Sequence, residues 1–230
     1  MRVVRAIRAI SPGSIAPVSR ATDSASVRSR PLAIALDGVE LGTWALGPRS
    51  LEELVRVVES GRPRAIIEFG SGASTVALAW AISMCCETSD VPRIVSIEQD
   101  AVHAQRTRDL LRRAGLESEC VVLAAPLGEQ VIEGRQTTCY VLPGDFKASL
   151  GERRADLIVI DGPAGPAGVR FGTLPLARSL VADGATFVLD DALRDGELDV
   201  ARLWAALPYV AVRGIRLIEK GLLVGTVKSG

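Results

Sequence analysis

Three places in this sequence set polar residues where apolar runs end. The first is Ile66-Ile-Glu68-Phe-Gly70-Ser71-Gly72-Ala-Ser74-Thr75. An apolar run closes on a glycine-rich turn, and a helical pattern follows. Glycine lets the backbone turn sharply and lets a ligand come close to the main chain. The N–H groups that open a helix carry partial positive charge and suit an anionic ligand group. Ser74 and Thr75 can cap that helix or lend hydroxyls to the ligand. The plain structural reading is an ordinary strand-to-helix turn, yet Glu68 just ahead of it then needs a partner, because a buried carboxylate is costly alone.

The second place is Ile94-Val-Ser-Ile-Glu98-Gln-Asp100, which ends the next apolar run. A carboxylate there can accept both ribose hydroxyls of a nucleoside cofactor. Two cofactors compete for this pattern. A dinucleotide fingerprint needs Gly or Ala at position 75, where helix and strand pack closely, and Thr75 stands there instead. S-adenosylmethionine carries no pyrophosphate, so its loop tolerates hydroxyls, and it is the preferred donor. The third place is a pair of run ends, Ile160-Asp161-Gly-Pro and Leu189-Asp190-Asp191. Three carboxylates without His or Cys suit a hard cation such as Mg²⁺, which would orient and activate a bound hydroxyl. The structural alternative is that Asp191 caps the next segment and Asp190 bonds to backbone.

These residues must be carried by elements that bring them to one edge. Strand-like runs sit at Ala65–Phe69, Arg93–Ile97, Cys120–Ala124, Asp156–Ile160 and Thr186–Leu189, with helical patterns near Ala73–Cys85, Ala101–Ala114, Thr173–Val181 and Glu197–Leu207. Ser50 and Glu53 have capping-box spacing at the start of an earlier helix. Short apolar strands alternating with helices predict a doubly wound, Rossmann-like α/β layer, mostly parallel. Its strands would then present their C-terminal ends together. Tyr209–Val212, Gly214–Glu219 and Leu222–Val227 predict a terminal antiparallel hairpin turning at Lys220-Gly221. Pro126–Gly151 is less regular and predicts only a short helix and one strand.

Composition excludes several classes. At 230 residues and 48% apolar, the chain suits one domain with a short appendage. Residues 1–30 hold six arginines and one acid and read as a basic, poorly ordered N-terminal arm, with a transit or surface-anchoring segment as the alternative and the domain at 31–230. The arm is a candidate for dimer contacts, and Arg5 and Arg8 break the apolar stretch a signal peptide would need. Lys+Arg and Asp+Glu balance at 27 each, so no global field draws nucleic acid. No apolar run has the length of a membrane span. Cys85, Cys86, Cys120 and Cys139 lack metal-ligand spacing and read as reduced thiols of a cytoplasmic protein. The lone histidine, His103, reads as an exposed or adenine-edge residue rather than a base.

The sequence Glu68-Phe-Gly-Ser-Gly-Ala-Ser-Thr, then Ser96-Ile-Glu98, Ile160-Asp161-Gly and Leu189-Asp190-Asp191, resembles the class I S-adenosylmethionine-dependent methyltransferases over about residues 60–228. It is most similar to their small bacterial O-methyltransferase-like branch. The resemblance implies a seven-stranded sheet whose last strand is inserted antiparallel. It also implies that Gly70, Ser71, Gly72 and Ser74 surround the methionine part, that Glu68 belongs to the same cofactor-binding set, and that Glu98 holds the ribose. Asp161 would lie near the donor's amino group, and Asp161, Asp190 and Asp191 would match a divalent-ion site. Ala164 stands where metal-dependent relatives carry a lysine, and Ala124-Ala-Pro-Leu stands where an adenine-facing polar residue is usual.

The leading expectation is therefore O-methylation of a small-molecule acceptor, with Asp161 or Asp191 taking the acceptor's proton either directly or through a divalent metal such as Mg²⁺. Arg170, after the Gly-Pro-rich stretch Gly162–Gly168, is expected on a loop overhanging the acceptor, where it could grip an anionic group. Trp44 is a candidate wall of that pocket. The alternatives are an NAD-linked oxidoreductase and a catalytically degenerate donor-binding regulatory domain.

Overall fold

The structure, a computed structural model, describes residues 46–86 and 93–230 together with Leu36. The basic arm and Trp44 lie outside the described residues. The order is α1 (Pro48–Gly61), β1 (Ile66–Phe69), α2 (Ala73–Cys85), β2 (Ile94–Glu98), α3 (Ala101–Ala114), β3 (Cys120–Ala124), β4 (Leu127–Ile132), β5 (Arg135–Tyr140), α4 (Phe146–Ser149), β6 (Ala155–Ile160), α5 (Thr173–Ala177), β7 (Val181–Leu189), α6 (Asp195–Ala205), β8 (Val210–Arg216) and β9 (Leu222–Val227). Single 3₁₀ turns at Val169–Gly172 and Arg178–Leu180 flank α5.

Seven strands form one sheet in the order β3-β2-β1-β6-β7-β9-β8. The first five run parallel, and β9 is inserted antiparallel between β7 and β8. This is the doubly wound sheet with a terminal hairpin that the sequence predicts. Alternate residues along each strand supply two cores. Ile67, Phe69, Ile158, Ile160 and Phe187 pack with Phe171, Leu174 and Trp204 on one face. Ile66, Ile94, Leu157, Val159 and Val188 pack with α1, α2 and α3 on the other. Period-two burial on both faces is why these strands read as continuous apolar runs.

Three local expectations need correction. Ser50 does not cap α1, since the helix begins at Pro48 with Gly47 at the cap. The free N–H groups are met from the far end of the chain: Glu219 accepts from the Arg49 and Ser50 amides at 3.1 and 3.2 Å and from the Ser50 hydroxyl at 2.7 Å. A carboxylate at a helix N-terminus serves the orphan donors and the dipole together. Glu53 pairs with Arg56 and Arg216 instead of closing a box. The helix expected over Thr173–Val181 is broken into α5 and a 3₁₀ turn, and Val181 already begins β7. The irregular stretch after Pro126 holds a complete β4–β5 hairpin. Its two-residue turn, Glu133-Gly134, has φ of 51° and 71°, the paired left-handed geometry that matches strand twist.

The inserted strand depends on a missing side chain. A Cβ at Gly225 would come 2.5 Å from Phe187 Cε1 and 2.6 Å from the Ala211 carbonyl. Phe187 is fully buried and meets Trp204 edge-on at 5.5 Å, so its ring has nowhere to go. Gly225→Ala should therefore cost about 1–3 kcal/mol through overpacking, read as a lower urea midpoint with an unchanged slope.

Candidate active site

The parallel strands end on one edge, and the ends of β1, β2, β6 and β7 carry every polar motif. At the end of β1 the Phe69 carbonyl accepts from both the Asp161 and Gly162 amides, at 2.8 and 2.7 Å. This draws the turn after β6 against the turn after β1. A Cβ on Gly70, whose φ is 90°, would stand 2.8 Å from the Gly162 nitrogen, and one on Gly162 would stand 2.9 Å from Gly70 Cα. Both positions demand glycine for closeness, and Gly70 for its backbone angle as well.

Glu68 lies fully buried beneath this loop. Its Oε2 accepts from the Thr75 and Ser96 hydroxyls, each at 2.6 Å. Thr75 Oγ1 in turn accepts from the Gly72 amide at 2.9 Å. Glu68 thus holds the glycine turn in place through Thr75 rather than facing the crevice, a placement different from the donor contact expected of it. Burial pushes its carboxyl up to about 7, against hydrogen bonds from Ser96, Thr75 and Ser74 that pull it down. Ser74 is buried in the first turn of α2.

Glu98 ends β2 and is 7% exposed. Its Oε2 accepts from the Ser71 amide at 2.9 Å and the Ser71 hydroxyl at 3.2 Å, and its Oε1 from the Asp100 amide at 3.1 Å. Ser71 is held on every side: its hydroxyl lies 2.9 Å from Thr107 Oγ1, and its carbonyl 3.0 Å from His103 Nε2. Since a carbonyl only accepts, His103 donates from Nε2. His103 therefore anchors the loop from α3. Asp100 caps α3 by accepting from the Val102 and His103 amides. The structure brings Gly70, Ser71, Gly72 and Glu98 together at the ends of β1 and β2.

The acidic strand ends also converge. One carboxylate oxygen from each of Asp161, Asp190 and Asp191 lies within 4.8 Å of the others. Burial, and then Asp190, holds Asp161 well above the usual carboxylate range, and burial with Asp191 pushes Asp190 up to about 6. Asp191 adopts φ of 58°, a left-handed angle that aspartate tolerates better than most residues.

Arg170 does not overhang an acceptor. It sits on the 3₁₀ turn Val169–Gly172, 6% exposed, inside the acid cluster. One terminal nitrogen, Nη2, lies 3.5 Å from Asp161 Oδ1 and 3.3 Å from Asp191 Oδ2, and Nη1 donates to the Asp190 carbonyl at 3.1 Å. Nε lies 3.8 Å from Glu197. The turn is clamped by Trp204 Nε1 donating to the Phe171 carbonyl and by the Thr173 hydroxyl donating to the Arg170 carbonyl, both at 2.8 Å. Asp191 also meets Arg194 at 2.7 Å and Lys220 at 3.6 Å. The carboxylate set suits a hard cation, but an ion bound at about 2.0–2.6 Å to Asp161 and Asp191 would share its gap with the guanidinium. The residues present do not fit a divalent ion.

Two further residues of this edge gave no sequence signal. Tyr140 is buried over Phe69, ring centroids 5.6 Å apart, with its hydroxyl against Gly162. Gln99 exchanges two hydrogen bonds with the Ala164 backbone, at 2.8 and 3.2 Å. This ties the turns after β2 and β6 across the end of β1, which lies between them.

No protein-family model matches the chain, and no curated protein matches it. Solved structures do. An O-methyltransferase from Bacillus cereus in complex with SAH is similar at TM-score 0.60 and 20% identity, covering 86% of this chain and 88% of that one. The O-methyltransferase TomG from Streptomyces achromogenes, in complex with SAM, gives 0.59 and 20%, covering 87% and 88%. A methyltransferase from Geobacter sulfurreducens gives 0.61 and 17%, covering 90% and 93%. The chain has the Rossmann-like fold of the class I methyltransferases. No helix among the described residues is long and apolar enough to cross a membrane.

Glu68 generates a pH prediction. Its folded value, about 7, lies above the ordinary 4.5, so its carboxyl favours folding below pH 4.5 and that contribution is lost as pH rises to about 7, by ~3 kcal/mol in all. Glu68→Gln keeps an acceptor for Thr75 and Ser96 and removes the buried charge. The variant should match or exceed the parent in urea stability at pH 8, with the gap between them narrowing or reversing by pH 5.

Proposed function

We propose that the chain transfers the methyl group of S-adenosylmethionine to an oxygen of a small-molecule acceptor. The observation that carries this reading is Glu98, a nearly buried carboxylate at the end of β2, bonded to the amide of the glycine turn that ends β1. A carboxylate offers about four acceptor sites, and Ser71 and Asp100 use three. Two ribose hydroxyls fit if the Ser71 hydroxyl turns fully to Thr107, already 2.9 Å away. Gly70, Ser71 and Gly72, with the opening of α2 and Ser74, then face the methionine part. The likeness to SAM- and SAH-bound structures supports the same donor. Thr75 argues against a dinucleotide: it is fully buried between Gly72 and Glu68, where that fingerprint needs glycine or alanine.

The transfer is an in-line displacement. The acceptor oxygen forms a bond to the methyl carbon as the carbon–sulfur bond breaks, leaving a neutral thioether, and the hydroxyl proton goes to a base. Positioning the two partners supplies much of the acceleration. Asp161 is the base in this reading. Its side chain is the most open of the three acids, 15% against 2% for Asp191, and its raised proton affinity suits general-base work. Asp191, named with it as a candidate base, is held in ion pairs with Arg170, Arg194 and Lys220. Its part is to position Arg170.

Calorimetry with S-adenosylhomocysteine tests the donor site. Glu98→Ala should weaken binding about tenfold or more, since charged hydrogen bonds are lost. Asp161→Asn should leave that affinity within about threefold while lowering turnover by about 10²–10⁴. In the parent, turnover should rise with pH through the raised value of Asp161 rather than near the ordinary 3.8. Unchanged donor affinity in Glu98→Ala would remove the ribose assignment.

A further inference from the structure

We propose that the Arg170 guanidinium is the resident cation of the acid cluster, held in the place a divalent ion would take, so that methyl transfer at this site runs without a metal. The proposal rests on the methyltransferase reading for its consequence, but not for its geometry. Three carboxylates brought within 4.8 Å repel one another, and a positive charge among them relieves that repulsion. Nη2 of Arg170 stands there, 3.5 Å from Asp161 and 3.3 Å from Asp191, while Nη1 binds the carbonyl of Asp190. Arg194 and Lys220 form ion pairs with Asp191 from more exposed positions. Arg170 bridges the Asp161 and Asp191 carboxylates.

The surroundings are built to hold that guanidinium. Glu197, in the first turn of α6, closes its Nε side at 3.8 Å. The turn that carries it packs so closely on β5 that a Cβ at Gly172 would meet Cys139 Sγ at 2.7 Å. Arg170 is thus buried and bonded along both edges of its guanidinium. A guanidinium keeps its charge at any working pH and spreads it over a rigid fork. It therefore holds Asp161 at a fixed distance from the β7 acids. A metal would do the same and would also bind the acceptor's oxygen, which Arg170, with its donors already engaged, does not. The acceptor is thus activated by proton removal alone.

Manganese(II) reports this directly, because its electron-spin signal falls when it leaves bulk water. With about 1 mM protein and Mn²⁺, the parent should leave the free signal unchanged, whereas Arg170→Gln, which removes the charge but fills the space, should bind with Kd below about 1 mM. Arg170→Lys should exclude the ion as the parent does, since charge and not packing decides, and Arg170→Gln/Asp190→Asn should lose the new site. Should Arg170→Gln fail to fold, the parent still decides the matter. Its urea midpoint should not move with added Mn²⁺, as it must if the folded state binds the ion, and its turnover should survive EDTA. Binding of Mn²⁺ by the parent that disappears in Asp190→Asn would overturn the proposal, and so would a folded Arg170→Gln that binds none. Failure of the parent to bind S-adenosylhomocysteine with or without EDTA would instead count against the donor reading, leaving the Mn²⁺ results to stand alone, whereas binding lost only in EDTA would overturn the proposal.

Discussion

One carbonyl governs the geometry of this edge. Phe69 ends β1, and its oxygen accepts the amides of both Asp161 and Gly162. That pair of bonds brings two turns together so closely that each needs a glycine at the contact. It also fixes where Asp161 stands relative to the Gly70–Gly72 turn. The turn is locked from behind by Glu68 through Thr75 and from the side by Glu98, Thr107 and His103 through Ser71. Very little of the crevice is left to rearrange when a ligand enters. Preorganised donors and acceptors of this kind cost little reorganisation at the moment of reaction.

The charges follow from the same topology. Parallel strands carry their C-terminal acids to one edge whether or not a counter-ion is available. In this chain three carboxylates meet there, and the sequence supplies Arg170, Arg194 and Lys220 from three different segments. The cluster thus meets the demand of a fold that cannot bury bare charge, and the proposed function would add the need for a proton acceptor. Asp161 is left the most exposed of the three, while Asp190 Oδ2 is buried without a hydrogen-bond partner. In the proposed reading the two roles, base and counter-ion holder, divide by exposure rather than by residue type.

Much of this was legible in the sequence. The strands and the two long helices Ala73–Cys85 and Ala101–Ala114 announce themselves by apolar periodicity and by glycine or aspartate at their ends. Glu98 and Asp161 stand at strand ends, where position alone suggests a role. The remainder depends on distant partners. Ser50 carries the local signature of a cap, yet Glu219, some 170 positions away, performs that service. Arg170 follows a Gly-Pro-rich stretch and looks like an exposed loop cation. Only tertiary packing shows that Trp204 and Thr173 fold its turn inward. The β4–β5 hairpin hides because its turn uses glutamate where asparagine or aspartate would have signalled it, and Thr and Gln dilute its apolar alternation.

The donor crevice is the claim on which the others rest, and a crystal structure with S-adenosylhomocysteine bound tests it most directly. The ribose hydroxyls should lie within hydrogen-bond distance of Glu98, the Ser71 hydroxyl should have turned to Thr107, and the sulfur should face Asp161. An adenosyl group bound elsewhere, with Ser71 still closed on Glu98 by both its amide and its hydroxyl, would contradict the account.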